Sequence, residues 1–135
     1  VLRSPEKLDQ VRRQTGELGG IAPQSPTEKR IFVVLAITAG LCEEILYRGL
    51  LKTVLAVTIG TWPAVFLSTV IFGLGHAYQG WTGIGKTAAV GLVMALLAVG
   101  SGSLLIPMLL HEVVDLNSGH MLSVASHDVS PGYSA

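Results

Sequence analysis

Between Thr53 and Leu110 the chain carries a single Asp, Glu, Lys or Arg, and that residue is Lys86. A soluble fold needs charged surface somewhere in a stretch of that length, whereas a bundle surrounded by lipid does not. Across the whole chain 13% of residues are charged and half are hydrophobic, against about 25% charged for an ordinary soluble domain. The deficit is local, because six of the nine Lys and Arg precede Ile31. In hydrocarbon, every backbone polar group must be satisfied within the protein, which favours helices. The expected fold is therefore all-α, a polytopic transmembrane helical bundle. The competing reading is a soluble helical bundle with an unusually apolar core.

Residues 1–28 read as a polar arm, with a short helix from Ser4-Pro5-Glu6 to about Leu18 and a Gly/Pro linker after it. Residues 29–124 form the apolar core, and 125–135 a polar tail. Four apolar segments are expected in that core: Ile31 to at least Leu51, Trp62–Tyr78, Ile84–Val99 and Ser103–Val124. The first is about 30 Å long at helical rise, one hydrocarbon thickness. Pro63 suits a first helical turn, and Ser103 is placed to cap the fourth helix. On the third segment Ala88, Gly91, Ala95 and Ala98 make a stripe of small residues that permits close helix approach. Trp62, Tyr78 and Trp81 lie near segment ends, as interfacial anchors do. Four spans invite further partner surface, and a first residue other than Met suggests a processed chain or a fragment with helices upstream.

Ionisable residues interrupt these segments, among them Glu43, Glu44 and Arg48 in the first, His76 in the second, and His111, Glu112 and Asp115 in the fourth. A charge at the centre of a membrane helix costs about 2.5–3.5 kcal/mol on insertion scales. Several left unpaired would cost as much as a domain's stability, so they must pair, meet water or lie at the interface. Glu44 and Arg48 stand at i and i+4 with the acid first, the favourable orientation. Glu43 is turned about 100° away, and its own i+4 neighbour is Tyr47. It is thus the freer carboxylate and the better general base. His111 and Asp115 are also at i and i+4, so the carboxylate is expected to fix the imidazole's tautomer. Taken singly, each has a bland reading: ion pairs at a helix end, a core histidine, a buried hydrogen bond. Cys42 reads as a small packing residue. Jointly they place two carboxylates, two imidazoles and a third acid on three helices, a set suited to hydrolysis.

Leu41-Cys42-Glu43-Glu44-Ile45-Leu46-Tyr47-Arg48-Gly49 resembles the EExxxR motif of the CAAX protease and bacteriocin-processing family, also called the CPBP or Abi family. Phe72-Gly73-Leu74-Gly75-His76 resembles its FxxxH motif, and His111-Glu112-Val113-Val114-Asp115 its HxxxN or HxxxD motif. The three occur in the family's order, over roughly Glu28 to Leu122. The resemblance implies an intramembrane endopeptidase, whose eukaryotic members remove the last three residues of prenylated CAAX proteins. By motif position Glu43 and His76 would activate water, Glu44 and Arg48 would support them, and His111 and residue 115 would stabilise the oxyanion. Phe72 and Tyr47 would contact substrate. Asp115 departs from the prenyl-protein branch, which carries Asn there. An ionised Asp cannot donate a hydrogen bond, so Asp115 is protonated or orients His111, and a bacterial relative fits better.

The resemblance favours a metal-free glutamate site. The alternative is zinc held by His76, His111 and Asp115, an ordinary catalytic donor set. A serine mechanism lacks a base beside Ser101 and Ser103, and a cysteine mechanism with Cys42 and His76 needs Cys42 to face the site. The non-enzymatic alternative is a membrane immunity or scaffold protein. Expected partners are a protein or peptide substrate, lipidated or not, and membrane lipids. A net charge of zero gives no reason to expect nucleic acid. The expected location is integral to a bacterial inner membrane.

Overall fold

The computed structural model describes residues 23–127. The polar arm and its expected helix to Leu18 lie outside the described residues, as does the end of the tail. What is described is helical, with short connections and no strand. The order is α1 (Pro26–Glu43), a π-helical segment (Glu44–Leu51), α2 (Lys52–Ile59), α3 (Thr61–Gly75), a 3-10 turn (Ala77–Gln79), α4 (Gly80–Ser101) and α5 (Leu105–His127).

α1, the π segment and α2 run on as one helical rod. Its start is specified locally. The Ser25 side chain accepts from the Glu28 amide at 3.2 Å, and the Glu28 carboxylate accepts from the Gln24 amide at 2.8 Å, with Pro26 at the first helical position. These bonds, led by the one from the Gln24 amide, hold the Glu28 carboxyl below its usual range. The rod ends at Gly60, whose φ of 85° only glycine adopts without strain. Gly102, at φ 65°, turns the chain between α4 and α5 in the same way. The Leu105 amide then donates to the Ser103 hydroxyl at 3.2 Å, so Ser103 serves the helix start two residues earlier than a first-turn residue would.

α3 and α4 pack as an antiparallel pair, and α1 packs on α5. A Cβ at Gly73 would lie 2.8 Å from the Ala88 Cβ and 3.1 Å from the Ile84 carbonyl, so the two backbones almost touch. Gly91, Ala95 and Ala98 are buried, and these three members of the small-residue stripe face inward. Large apolar side chains cover the outside of every helix: Val34 is 65% exposed, Val57 87%, Phe66 69%, Leu96 44% and Leu109 62%. A water-soluble surface does not carry such continuous apolar cover.

By length and composition one described helical stretch, 77–101, suffices alone to cross a membrane. The all-α bundle expected from the sequence is what the described residues form. α3 has 15 residues, about 22 Å at helical rise. The rod and α5 each carry the ionisable groups that make the site. Polar requirements and span length compete within these helices, and apolarity alone underestimates them.

Candidate active site

The π segment begins at Glu44 and gathers the site. Its wider turn turns Glu44 and Arg48 fully inward, leaving their side chains 0% and 2% exposed. The Arg48 guanidinium donates to Glu44 Oε1 at 2.8 Å and, through its second amino group, to the Gly91 carbonyl on α4 at 2.8 Å. Its carbon sits 4.1 Å from the centre of the Phe72 ring on α3, a stacking that suits a weakly hydrated cation. One arginine thereby ties the rod to α3 and α4. Gly91 is required for this, because a Cβ there would lie 2.8 Å from Arg48 Nη2 and 2.6 Å from Phe72 Cδ1.

Glu44 reaches the fourth wall as well. Its Oε1 lies 2.9 Å from His111 Nδ1 on α5. Carboxylate oxygen accepts, so His111 donates from Nδ1 and turns Nε2 the other way. His76, at the end of α3, has Nδ1 2.9 Å from the Phe72 carbonyl, which can only accept. Nδ1 therefore carries the proton in this ring too. Both Nε2 atoms face Glu43: Oε2 is 3.7 Å from that of His76 and 3.8 Å from that of His111. Glu43 Oε2 is buried with no hydrogen-bond partner among the described residues. Asp115 joins from one turn along α5, its Oδ2 3.7 Å from His111 Nε2.

The expected pairing within α5 is thus corrected. Asp115 is too far from His111 for a hydrogen bond, and Glu44, from another helix, orients that ring. A carboxylate already held by arginine in the core is a better-fixed acceptor than one a turn away at the cavity edge. Cys42 is exposed and does not pack inside. Phe72 is buried between Arg48, Tyr47, His76 and His111, with ring centres 5.0 Å from Tyr47 and 4.8 Å from His76. Tyr47 supports that ring and stands outside the cavity lining.

A cavity of about 380 Å³ opens beside these groups, lined by Phe72, His76, His111 and Asp115 at the site and by Gln79, Lys86, Thr87, Val90 and Met94 on the opposite wall. The chemical content is compact. Three carboxyl groups and two imidazoles face one guanidinium. Such a cluster can accept a proton at one point and donate one at another. Among the described residues no group of three His, Cys, Asp or Glu is arranged to hold a metal ion. Sequence reasoning missed the Gly91 carbonyl, the 3-10 turn that brings Gln79 to the cavity, and the place of Lys86 in its lining. The small-residue stripe and the isolation of Lys86 were the available signals for the first and last.

A family model described as Type II CAAX prenyl endopeptidase Rce1-like matches residues 26–117, which include all six of the site residues Glu43, Glu44, Arg48, His76, His111 and Asp115. No curated protein and no solved structure matches the chain.

Proposed function

The chain belongs to the Type II CAAX prenyl endopeptidase Rce1-like family, and from that membership and the site geometry we propose a metal-free intramembrane endopeptidase that uses Glu43 as its base. The observation that carries the proposal is the unpartnered Glu43 Oε2 between two imidazole Nε2 atoms at the edge of a cavity.

Glu43, assisted by His76, takes a proton from a water whose oxygen attacks the scissile carbonyl carbon. The carbonyl π bond opens, and its electron pair forms the oxyanion. His111, protonated on both nitrogens, donates from Nδ1 to Glu44 and from Nε2 to that oxyanion. Asp115, in its acid form, supplies a second donor, since only a protonated carboxyl can donate. The oxyanion's electron pair then re-forms the carbonyl as the C–N bond breaks, and Glu43 returns its proton to the leaving amine. Glu44 and Arg48 touch no reacting atom and act by holding His111 and Phe72. The substrate class we favour is a peptide near the surface of a bacterial inner membrane.

One observation favours a second reading. Imidazoles that donate from Nδ1 to fixed acceptors leave Nε2 free, which is how metal-bound histidines are also oriented. Zinc would then be held by His76, His111 and Asp115, where it would polarise the carbonyl and acidify water. Chelation separates the two. The metal-free site keeps its turnover of a cleavable peptide in 1,10-phenanthroline, and Glu43→Gln loses about 10²–10⁴ in rate. Activity lost to the chelator and restored by added zinc overturns the metal-free proposal.

A further inference from the structure

A second cavity, of about 420 Å³, lies between the π segment, α2 and the turn that joins α4 to α5. That volume is ample for a small ligand. Its charged lining residues are Arg48 and Lys52, and neither Asp nor Glu lines it. Arg48 is already balanced by Glu44. The uncompensated charge is therefore that of Lys52, which is half-buried and whose ammonium makes no ion pair or hydrogen bond among the described residues. The uncharged polar side chains of the lining are the hydroxyls of Thr53, Thr61 and Ser103. Thr38, Thr58, Ser101 and Ser118 turn their hydroxyls onto the carbonyl four residues back, whereas Thr53 and Thr61 make no such bond among the described residues. Ser103 Oγ accepts from the Leu105 amide, so its own O–H remains to donate. Carbonyls at the end of α4 are engaged: the Gly102 amide donates to Ala98 at 3.1 Å and the Ser101 hydroxyl to Leu97 at 2.6 Å.

The cavity thus offers one free ammonium, three hydroxyls and no carboxylate, a set that suits anionic oxygen. In a membrane chain an unpaired ammonium is costly in hydrocarbon and finds its counter-charge at headgroup depth. Val54, Val57 and Trp62, close along the chain to Thr53 and Thr61, are exposed and apolar, and tryptophan is a residue that settles at that depth. We propose that this cavity binds the phosphate of an anionic membrane lipid, with Lys52 as counter-charge, Thr53, Thr61 and Ser103 as donors, and the acyl chains along α2 and α3. Lys52 and Thr53 lie on the rod, Thr61 opens α3 and Ser103 precedes α5, so a bound phosphate joins three parts of the bundle. Occupancy therefore stabilises the fold by mass action. Such a lipid binds whether or not the protein hydrolyses peptides. A soluble phosphate ester has the same oxygen chemistry but gains nothing from the apolar flank, and the test separates the two sources.

The probes are dihexanoyl phosphatidylglycerol, dihexanoyl phosphatidylcholine and glycerol 3-phosphate, each titrated into the full-length protein in a maltoside detergent. The rise in melting temperature with concentration gives an apparent affinity for each. Phosphatidylglycerol is expected to bind roughly tenfold more tightly than phosphatidylcholine, about 1.4 kcal/mol, because choline brings its own cation to Lys52. Lys52→Gln is expected to lose that preference and Lys52→Arg to keep it. Lys86→Gln, which removes the same charge outside this cavity, is expected to behave like the parent protein. The preference is a ratio taken within each variant, so a changed baseline melting temperature does not enter it. Equal stabilisation by the two lipids overturns the proposal, as does a preference that survives in Lys52→Gln. A loss of equal size in Lys86→Gln shows a diffuse charge effect and also overturns it. Glycerol 3-phosphate acting at the same concentration as phosphatidylglycerol gives the cavity to a soluble phosphate and overturns the lipid assignment.

Discussion

At the scale of single residues, Glu43 and Glu44 are neighbours in sequence with opposite situations. Glu44 is fully buried, and one of its oxygens serves both Arg48 and His111. Removing its charge leaves the guanidinium buried and half-paired, an error that costs about 3–5 kcal/mol when a buried pair is broken. Glu44→Gln is therefore expected to lower the melting temperature in detergent and to reduce yield, while retaining some turnover per folded molecule. Glu43 has no such structural bond, and Glu43→Gln is expected to melt like the parent protein and to be nearly inactive. Thermal melting measured beside peptide turnover checks both. A stable but inactive Glu44→Gln with a fully active Glu43→Gln would reverse the two assignments.

At the scale of elements, close helix approach explains which glycines matter. Gly91 on α4 faces Arg48 and Phe72, and Gly85 on the same helix faces open space. Gly91→Ala is expected to force the arginine or the ring aside, at about 1–3 kcal/mol for overpacking. Gly85→Ala is expected to be neutral or slightly stabilising, since alanine is favoured over glycine in a helix by up to about 1 kcal/mol. Denaturation of the two variants in parallel tests this, and equal destabilisation would show that the Arg48 contact is not what Gly91 protects. The start of α1 offers a pH test. Glu28 has its carboxyl held below the ordinary value of 4.5 by bonds to the Gln24 and Ser25 region. Its contribution is present above the unfolded value and lost as pH falls through the folded one. Protection of the first-turn amides of α1, taken relative to their intrinsic exchange rate at each pH, should therefore fall on acidification through the carboxylate range, and Glu28→Gln should remove that dependence.

At the scale of the whole molecule, the apolar exterior and the family place the chain in a membrane. Among the described residues one stretch, 77–101, is long and apolar enough to span unaided. The shorter α3 and the charged rod therefore depend on neighbours to satisfy their polar groups, as helices in lipid must. Alkaline carbonate extraction of the full-length protein is expected to leave it in the membrane pellet. Release into the supernatant would contradict the lipid-facing reading of Val34, Phe66 and Leu109.

Sequence alone determined the all-α membrane class, because a run from Thr53 to Leu110 with one charge admits few other folds. It also determined the Glu44–Arg48 pair, because helical spacing is a local property that any near-helical backbone preserves. The four apolar segments were legible to within a few residues for the same reason. Packing between helices settled who serves whom across them. Asp115 is the local candidate to orient His111, yet Glu44, 67 positions away, makes the bond. The π geometry from Glu44 to Leu51, the Gly91 carbonyl that receives Arg48, and the place of Lys86 at the cavity rim depend likewise on packing between elements distant in the chain. A periodic pattern tells which face of a helix is turned inward. Which partner waits there is set by helix crossing and side-chain reach, and neither is written in the spacing of residues along one helix.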